Sequence, residues 1–143
     1  MQAPLSQTIS DKAFSTNAAS SKTIWAGRVL SGLAGLFMLT SGLNLMFVHS
    51  PEMLANLAKF GYDGSVLTPI GLAAFLGAVL YFIPRTGPLG AIILTGYLGG
   101  AVATHVRVHD PAWIAPLIVG IALWLGLWLR DGDVRALVPL RRS

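Results

Sequence analysis

The chain has 143 residues, 54% of them hydrophobic and 11% charged, with ten Lys and Arg against six Asp and Glu for a net charge of +4. Soluble domains carry roughly 25% charged residues, so this composition excludes an ordinary water-surrounded domain. The lack of cysteine excludes disulfides, thiolate metal sites and thiol redox chemistry within the chain, and basic residues that flank apolar runs instead of forming a stripe exclude a nucleic-acid groove.

Residues 1–23 are rich in Ser, Thr, Ala and Gln without a hydrophobic pattern, and are expected to form a disordered cytoplasmic tail. No apolar stretch of signal-peptide length lies near the start. A single domain is expected over 24–130, followed by a basic cytoplasmic tail over 131–143. Within it lie four apolar runs, 29–48, 66–83, 87–106 and 112–129, none of which contains Asp, Glu, Lys or Arg. Each meets or approaches the roughly 20 residues that a helix needs to cross about 30 Å of hydrocarbon. The fold class predicted is an all-α membrane protein, with four transmembrane helices in an antiparallel bundle and a short outer interfacial helix.

The first span carries Gly32, Gly35 and Gly42, then Thr40, Ser41 and Asn44. Small residues let helix backbones approach, and an amide in the apolar middle of a span needs a partner, for which Thr95 and Tyr97 are the candidates. In the loop over 49–65, Ser50-Pro51-Glu52 has the signature of a helix start: a capping hydroxyl, Pro at the first position and an acid in the first turn. Met53, Leu54, Leu57 and Phe60 follow at helical spacing and Gly61 supplies a stop, which predicts a short helix over 51–60 on the outer membrane face. The second span opens with Thr68-Pro69 and ends at Ile83-Pro84-Arg85-Thr86-Gly87-Pro88, a turn tight enough to pack the second and third spans side by side. In the third span Gly96 and Gly100 form a GxxxG pair and Gly99 and Ala103 a second small pair, a stripe that predicts helix packing or a groove for a flat lipid-soluble ligand. The fourth span holds Trp124, Gly126 and Trp128 with nothing that suggests chemistry.

Lys and Arg near span ends set orientation. With both termini on one side, that side holds Lys12, Lys22, Arg28, Arg85, Arg130, Arg135, Arg141 and Arg142, against Lys59 and Arg107 on the other. Both termini and the 84–86 turn are therefore expected in the cytoplasm.

Three histidines, His49, His105 and His109, fall near the opposite face. Two imidazoles four residues apart share a helix face where the helix continues, and with a third they suit metal or haem ligation or proton shuttling. Against ligation, Asp110-Pro111 is expected to end the helix near His109, and no Cys or H-E-x-x-H motif accompanies the set. No metal site is assigned. The ligand-binding candidates are Asn44, Tyr97, Thr104, His105 and Arg107. For Arg107 the alternatives are snorkelling to phosphates, pairing with Asp110 or Glu52, or holding an anionic head group.

The run from Ile83 to Arg107, above all Thr95-Gly96-Tyr97-Leu98-Gly99-Gly100-Ala101-Val102-Ala103-Thr104-His105, resembles the DoxX-like family of small bacterial membrane proteins. Ser41-Gly42-Leu43 and Ile70-Gly71-Leu72 contribute to the likeness, which covers roughly 25–130. The resemblance implies a four-helix bundle in the bacterial inner membrane. It also implies the functions linked to some relatives, thiosulfate and quinone oxidation or membrane complexes against oxidative stress. Where family members often carry Lys in the first span and Glu in the second, this chain has Asn44 and Ala74. Three function classes follow. The first is a redox-associated membrane subunit that binds a quinone near Tyr97, Thr104 and His105 and works with an oxidoreductase partner, since no cofactor motif occurs in the chain itself. The second is a non-catalytic anchor or scaffold, including a homo-oligomer. The third is a small transporter or binder of lipophilic ligands, against which stand the lack of a broken midplane helix, of an inverted repeat and of intramembrane charge. Membrane lipid is a partner in all three.

Overall fold

A computed structural model describes residues 20–137. The described residues form helices and turns without a strand: α1 (Ser21–Phe47), α2 (Pro51–Lys59), α3 (Leu67–Phe82), α4 (Gly87–Arg107), α5 (Ile114–Arg130) and α6 (Gly132–Leu137). Single tight turns, Gly64–Val66 and Pro111–Trp113, lead into α3 and α5. Four helices are long and apolar enough to cross a membrane: Ser21–Phe47, Gly64–Phe82, Gly87–Arg107 and Pro111–Arg130. This is the all-α, multi-pass membrane architecture that the apolar runs predict.

The four spans alternate in direction, so that Gly27 near the start of α1 meets Leu129 and Arg130 at the end of α5. Broad seams join α1 to α3 and α5, and α4 to the same two, which sets α1 diagonal to α4. The core is small and made of Met38, Ala74, Ala78, Tyr81, Ala91, Leu94, Leu123 and Leu127. Much of the remaining apolar surface points outward, including Leu33 at 66%, Phe37 at 57% and Ile121 at 58% exposure. In water such a surface would drive aggregation; in a bilayer the acyl chains solvate it. Backbone groups are satisfied within each helix, as hydrocarbon requires.

Glycine lets the helices touch at the seams. A Cβ on Gly42 would fall 2.7 Å from the Phe75 amide nitrogen, and one on Gly126 would fall 2.6 Å from the Ser31 hydroxyl. The close contact between α3 and α4 is likewise made at Gly90, whose Cβ would collide with the Tyr81 backbone. One polar cluster is buried at this end. The Tyr81 hydroxyl donates to the Leu123 carbonyl at 2.7 Å and pairs with the Ser31 hydroxyl at 2.9 Å. The Arg130 guanidinium turns inward, 4.9 Å over the Tyr81 ring, and donates to the Tyr81 carbonyl at 3.0 Å.

Two expected tail bounds shift, and the glycine stripe of α4 lies open within the chain. The expected tail over 1–23 loses its last residues to α1, which begins at Ser21, and residues 1–19 lie outside the described part. The tail expected over 131–143 opens with α6, whose Val134 is buried, while residues 138–143 lie outside the described part. The glycine stripe of α4 makes no close contact within the chain: a Cβ on Gly96, Gly99 or Gly100 would meet nothing within 4 Å, and Ala103 is exposed. α3 and α4 touch where Gly77 and Gly90 sit and separate toward the end that carries α2, leaving Gly96 and Gly100 beside open space, while Gly99 borders a second groove against α5.

Candidate functional site

The site lies at the α2 end, and two helix terminations build it. α2 starts as its sequence dictates: the Ser50 hydroxyl accepts the Met53 amide at 3.2 Å, with Pro51 at the first position and Glu52 in the first turn. It ends with Gly61 in the left-handed region (φ 76). There Gly61 N donates to the Ala58 carbonyl at 2.9 Å and Tyr62 N to the Leu57 carbonyl at 3.2 Å. α4 ends in the same double hydrogen bond. His109 N donates to the Val106 carbonyl at 3.1 Å and Asp110 N to the His105 carbonyl at 3.0 Å. Both are Schellman terminations, which fold the chain back over the helix's last turn. The left-handed residue of the second is His109 (φ 55), where glycine is usual.

The fold-back determines what faces the end of α4. The Asp110 carboxylate returns to His105, with Oδ2 2.9 Å from Nδ1, while its Oδ1 accepts the Ala112 amide at 2.9 Å. The Ala112 amide first, and the His105 ring second, hold the Asp110 carboxyl below its ordinary value. Tyr62, the residue after Gly61, brings its hydroxyl to 3.4 Å from the Thr104 hydroxyl, which also donates to the Gly100 carbonyl at 2.8 Å. Phe60 sets its ring edge-on to His105 at 4.9 Å between centroids. Arg107 donates to the Phe60 carbonyl and lies 5.8 Å over the Tyr62 ring. These contacts fasten the loop after α2 onto α4. In the same loop the Asp63 carboxylate accepts the Ser65 hydroxyl and the Ser65 amide, and these, in that order, hold its carboxyl below its ordinary value.

Three spaces meet at His105. A groove of about 580 Å³ runs between α3 and α4, with Pro69, Ile70 and Ala73 on one wall, Gly96, Tyr97 and Gly100 on the other, and Leu57, Phe60 and Tyr62 across its end. Pro69, Ala73, Gly96 and Gly100 are exposed at the bundle surface, so in a membrane this groove opens to lipid. A polar vestibule over His105 is lined by Asn56, Lys59, Phe60, Val108 and Asp110. A smaller inner cavity of about 180 Å³ between α1, α4 and α5, open on one side, is bounded by Ser41, Tyr97 and His105 among apolar neighbours. His105 is the residue common to all three, and Tyr97 is shared by the groove and the inner cavity.

Of the residues singled out from sequence, Tyr97, Thr104 and His105 line the groove together, and Arg107 stands beside it on the Phe60 carbonyl. Arg107 therefore takes neither Asp110 nor Glu52 as its partner. Asn44 does not join them. It is exposed on α1, diagonal to α4, and Thr95 instead accepts the Trp124 indole N–H at 2.8 Å. Ala74, by contrast, is fully buried, so the two positions at which this chain departs from the charged pattern do not share one buried seam. The histidines do not converge. α4 stops at Arg107, the left-handed turn swings His109 off the helix face, and both His49 and His109 are exposed. Among the described residues no group of three or more His, Cys, Asp or Glu is placed to hold a metal ion. Sequence reasoning missed Tyr62 and the His105–Asp110 pair. The signal for both was local: a left-handed stop returns the following residue to the last helical turn, and Gly61-Tyr62 and His109-Asp110-Pro111 are such stops.

A family model described as the DoxX-like family matches residues 29–126. No curated protein and no solved structure matches the chain.

Proposed function

The chain belongs to the DoxX-like family, and on that premise we propose that it binds a lipid-soluble ligand of the quinone class in the groove between α3 and α4, as a membrane subunit associated with a redox partner. The observation that carries this reading is the position of His105, where an apolar groove open to lipid meets a polar vestibule. A volume of about 580 Å³ lies in the range of small-molecule pockets. Its walls suit a flat ring and an isoprenoid or alkyl tail, since Gly96 and Gly100 present bare backbone where other residues would fill the space. Its end offers the His105 ring and the Thr104 and Tyr62 hydroxyls to the oxygens of a head group. An imidazole is also the side chain best suited to exchanging protons near neutral pH. The chain has no cysteine and no cofactor motif, so electrons would pass to a cofactor on a partner oxidoreductase.

The charge bias supports an inner-membrane arrangement with both termini in the cytoplasm and the site at the outer face. The open stripe of Gly96, Gly99 and Gly100 also supports a second reading, in which another helix covers it in a scaffold or homo-oligomer. The two readings separate in one experiment. The protein in lipid nanodiscs is titrated with a short-chain benzoquinone and binding is followed by saturation-transfer NMR, beside Gly96→Leu and His105→Ala. Saturable binding that both substitutions abolish supports the groove. Binding that neither substitution changes overturns it.

A further inference from the structure

We infer that Asp110 sets the tautomer of His105 so that its Nε2 faces the groove as a hydrogen-bond acceptor, and that the groove therefore selects a ligand whose head group carries a hydroxyl, a hydroquinone or phenol, over the corresponding carbonyl. The inference rests on the ligand reading above and specifies its chemistry.

A neutral imidazole has one N–H donor and one lone-pair acceptor, and the partner of one nitrogen decides the role of the other. Asp110 uses both oxygens: Oδ1 accepts the Ala112 amide at 2.9 Å and Oδ2 lies 2.9 Å from His105 Nδ1. An ionised carboxylate only accepts, so Nδ1 must carry the proton. Ionisation is favoured by the same two contacts, which hold this carboxyl below its ordinary value. Lys59, across the vestibule, adds positive charge on the Asp110 side. The two ring nitrogens point in nearly opposite directions. With Nδ1 committed to Asp110 in the vestibule, Nε2 is left without a partner among the described side chains, at the other edge of a ring that lines the groove and the smaller cavity. Phe60 packs edge-on against the ring and restrains its rotation. The neighbouring hydroxyl of Thr104 spends its proton on the Gly100 carbonyl and so accepts from the Tyr62 hydroxyl 3.4 Å away, which leaves both oxygens with lone pairs to offer. The polar end of the groove is thus rich in acceptors, which a ligand hydroxyl satisfies and a ligand carbonyl does not.

The geometry makes Asp110→Asn a sharp test. The asparagine keeps its Oδ1 on the Ala112 amide and turns an NH₂ toward His105, so Nδ1 becomes the acceptor and Nε2 carries the proton. The full chain in nanodiscs is titrated at about pH 8 with a short-chain benzoquinone and separately with its two-electron-reduced hydroquinone under anaerobic conditions. For the unsubstituted protein we expect hydroquinone to bind roughly three- to tenfold more tightly than quinone, the worth of one hydrogen bond exchanged for a mismatch. In Asp110→Asn the preference should vanish or invert while binding persists. Nitrogen-15 spectra of the histidine rings, assigned with His105→Ala, should show Nδ1 protonated in the unsubstituted protein and Nε2 protonated in the variant. Equal affinity for the two forms, or a preference that Asp110→Asn leaves unchanged, overturns the inference while the groove reading stands. Failure of both forms to bind the unsubstituted protein overturns the ligand reading and the inference with it.

Discussion

Replacing Gly42 by alanine puts a methyl group 2.7 Å from the Phe75 nitrogen, 2.9 Å from the Gly71 carbonyl oxygen and 3.0 Å from the Phe75 Cα. All three are backbone atoms of α3 and none can rotate away. Carbon contacts settle at about 3.5–4.0 Å, so α1 and α3 must part by close to 1 Å along a seam that also holds Gly71. Overpacking of this kind costs about 1–3 kcal/mol, and the higher helix propensity of alanine returns at most about 1 kcal/mol. With three backbone contacts at once the cost falls in the upper part of that range, about 2–3 kcal/mol, and a net loss of about 1–2 kcal/mol follows after the full propensity return. The same substitution at Gly96 meets nothing within 4 Å. There the propensity gain stands alone, and stability should hold or rise by up to about 1 kcal/mol. The assay is equilibrium unfolding in mixed micelles by added sodium dodecyl sulfate, followed by tryptophan fluorescence at protein dilutions that keep the chain monomeric. If Gly96→Ala loses as much stability as Gly42→Ala under these conditions, the stripe is packed and the groove is not where the structure has it. If Gly42→Ala is neutral, the close approach of α1 and α3 is wrong.

Three further outcomes are expected. Tyr81→Phe removes a fully buried hydroxyl that serves Leu123 and Ser31, and should cost about 1–2 kcal/mol in the same unfolding assay; unchanged stability would remove that cluster from the account. His109→Gly relieves a left-handed residue (φ 55) and should leave stability equal or raise it by up to about 1 kcal/mol, whereas His109→Val should lower it, because a β-branched residue tolerates that conformation worst. Both Asp63 and Asp110 are held below the ordinary carboxylate value of 3.8. Their contribution is therefore complete above that value and is lost as pH falls through the lower folded values. Hydrogen exchange at the Ser65 and Ala112 amides should accelerate relative to other loop amides only in that acid range, and acceleration already near neutral pH would contradict the assigned partners.

Much of this architecture was legible in the residues. Hydrocarbon admits only helices whose backbone is satisfied internally, so four charge-free runs of near-spanning length leave one solution. Local chemistry was equally direct where it was self-contained: Ser50, Pro51 and Glu52 start α2 and Gly61 stops it as their types require. Tyr97, Thr104 and His105 were recognisable as neighbours because a single helix sets Thr104 and His105 about two turns beyond Tyr97.

The class, the four spans, the short helix and its caps were determined by the sequence alone, because each depends on length, hydropathy or contacts within a few residues. Helix rotation and partner choice were decided only by the tertiary structure. A span that is apolar on every side carries no amphipathic stripe to say which face turns inward, and lipid solvates an outward leucine as well as the core does. That is why Asn44 faces outward instead of meeting Tyr97, why Thr95 serves Trp124, and why the stripe at Gly96 and Gly100 borders open space while Gly42, Gly90 and Gly126 make the contacts. The pairing of His105 with Asp110 belongs to both levels. The stop at His109 is written locally, but its value as a site comes from the place where α3 and α4 part and α2 closes over the gap.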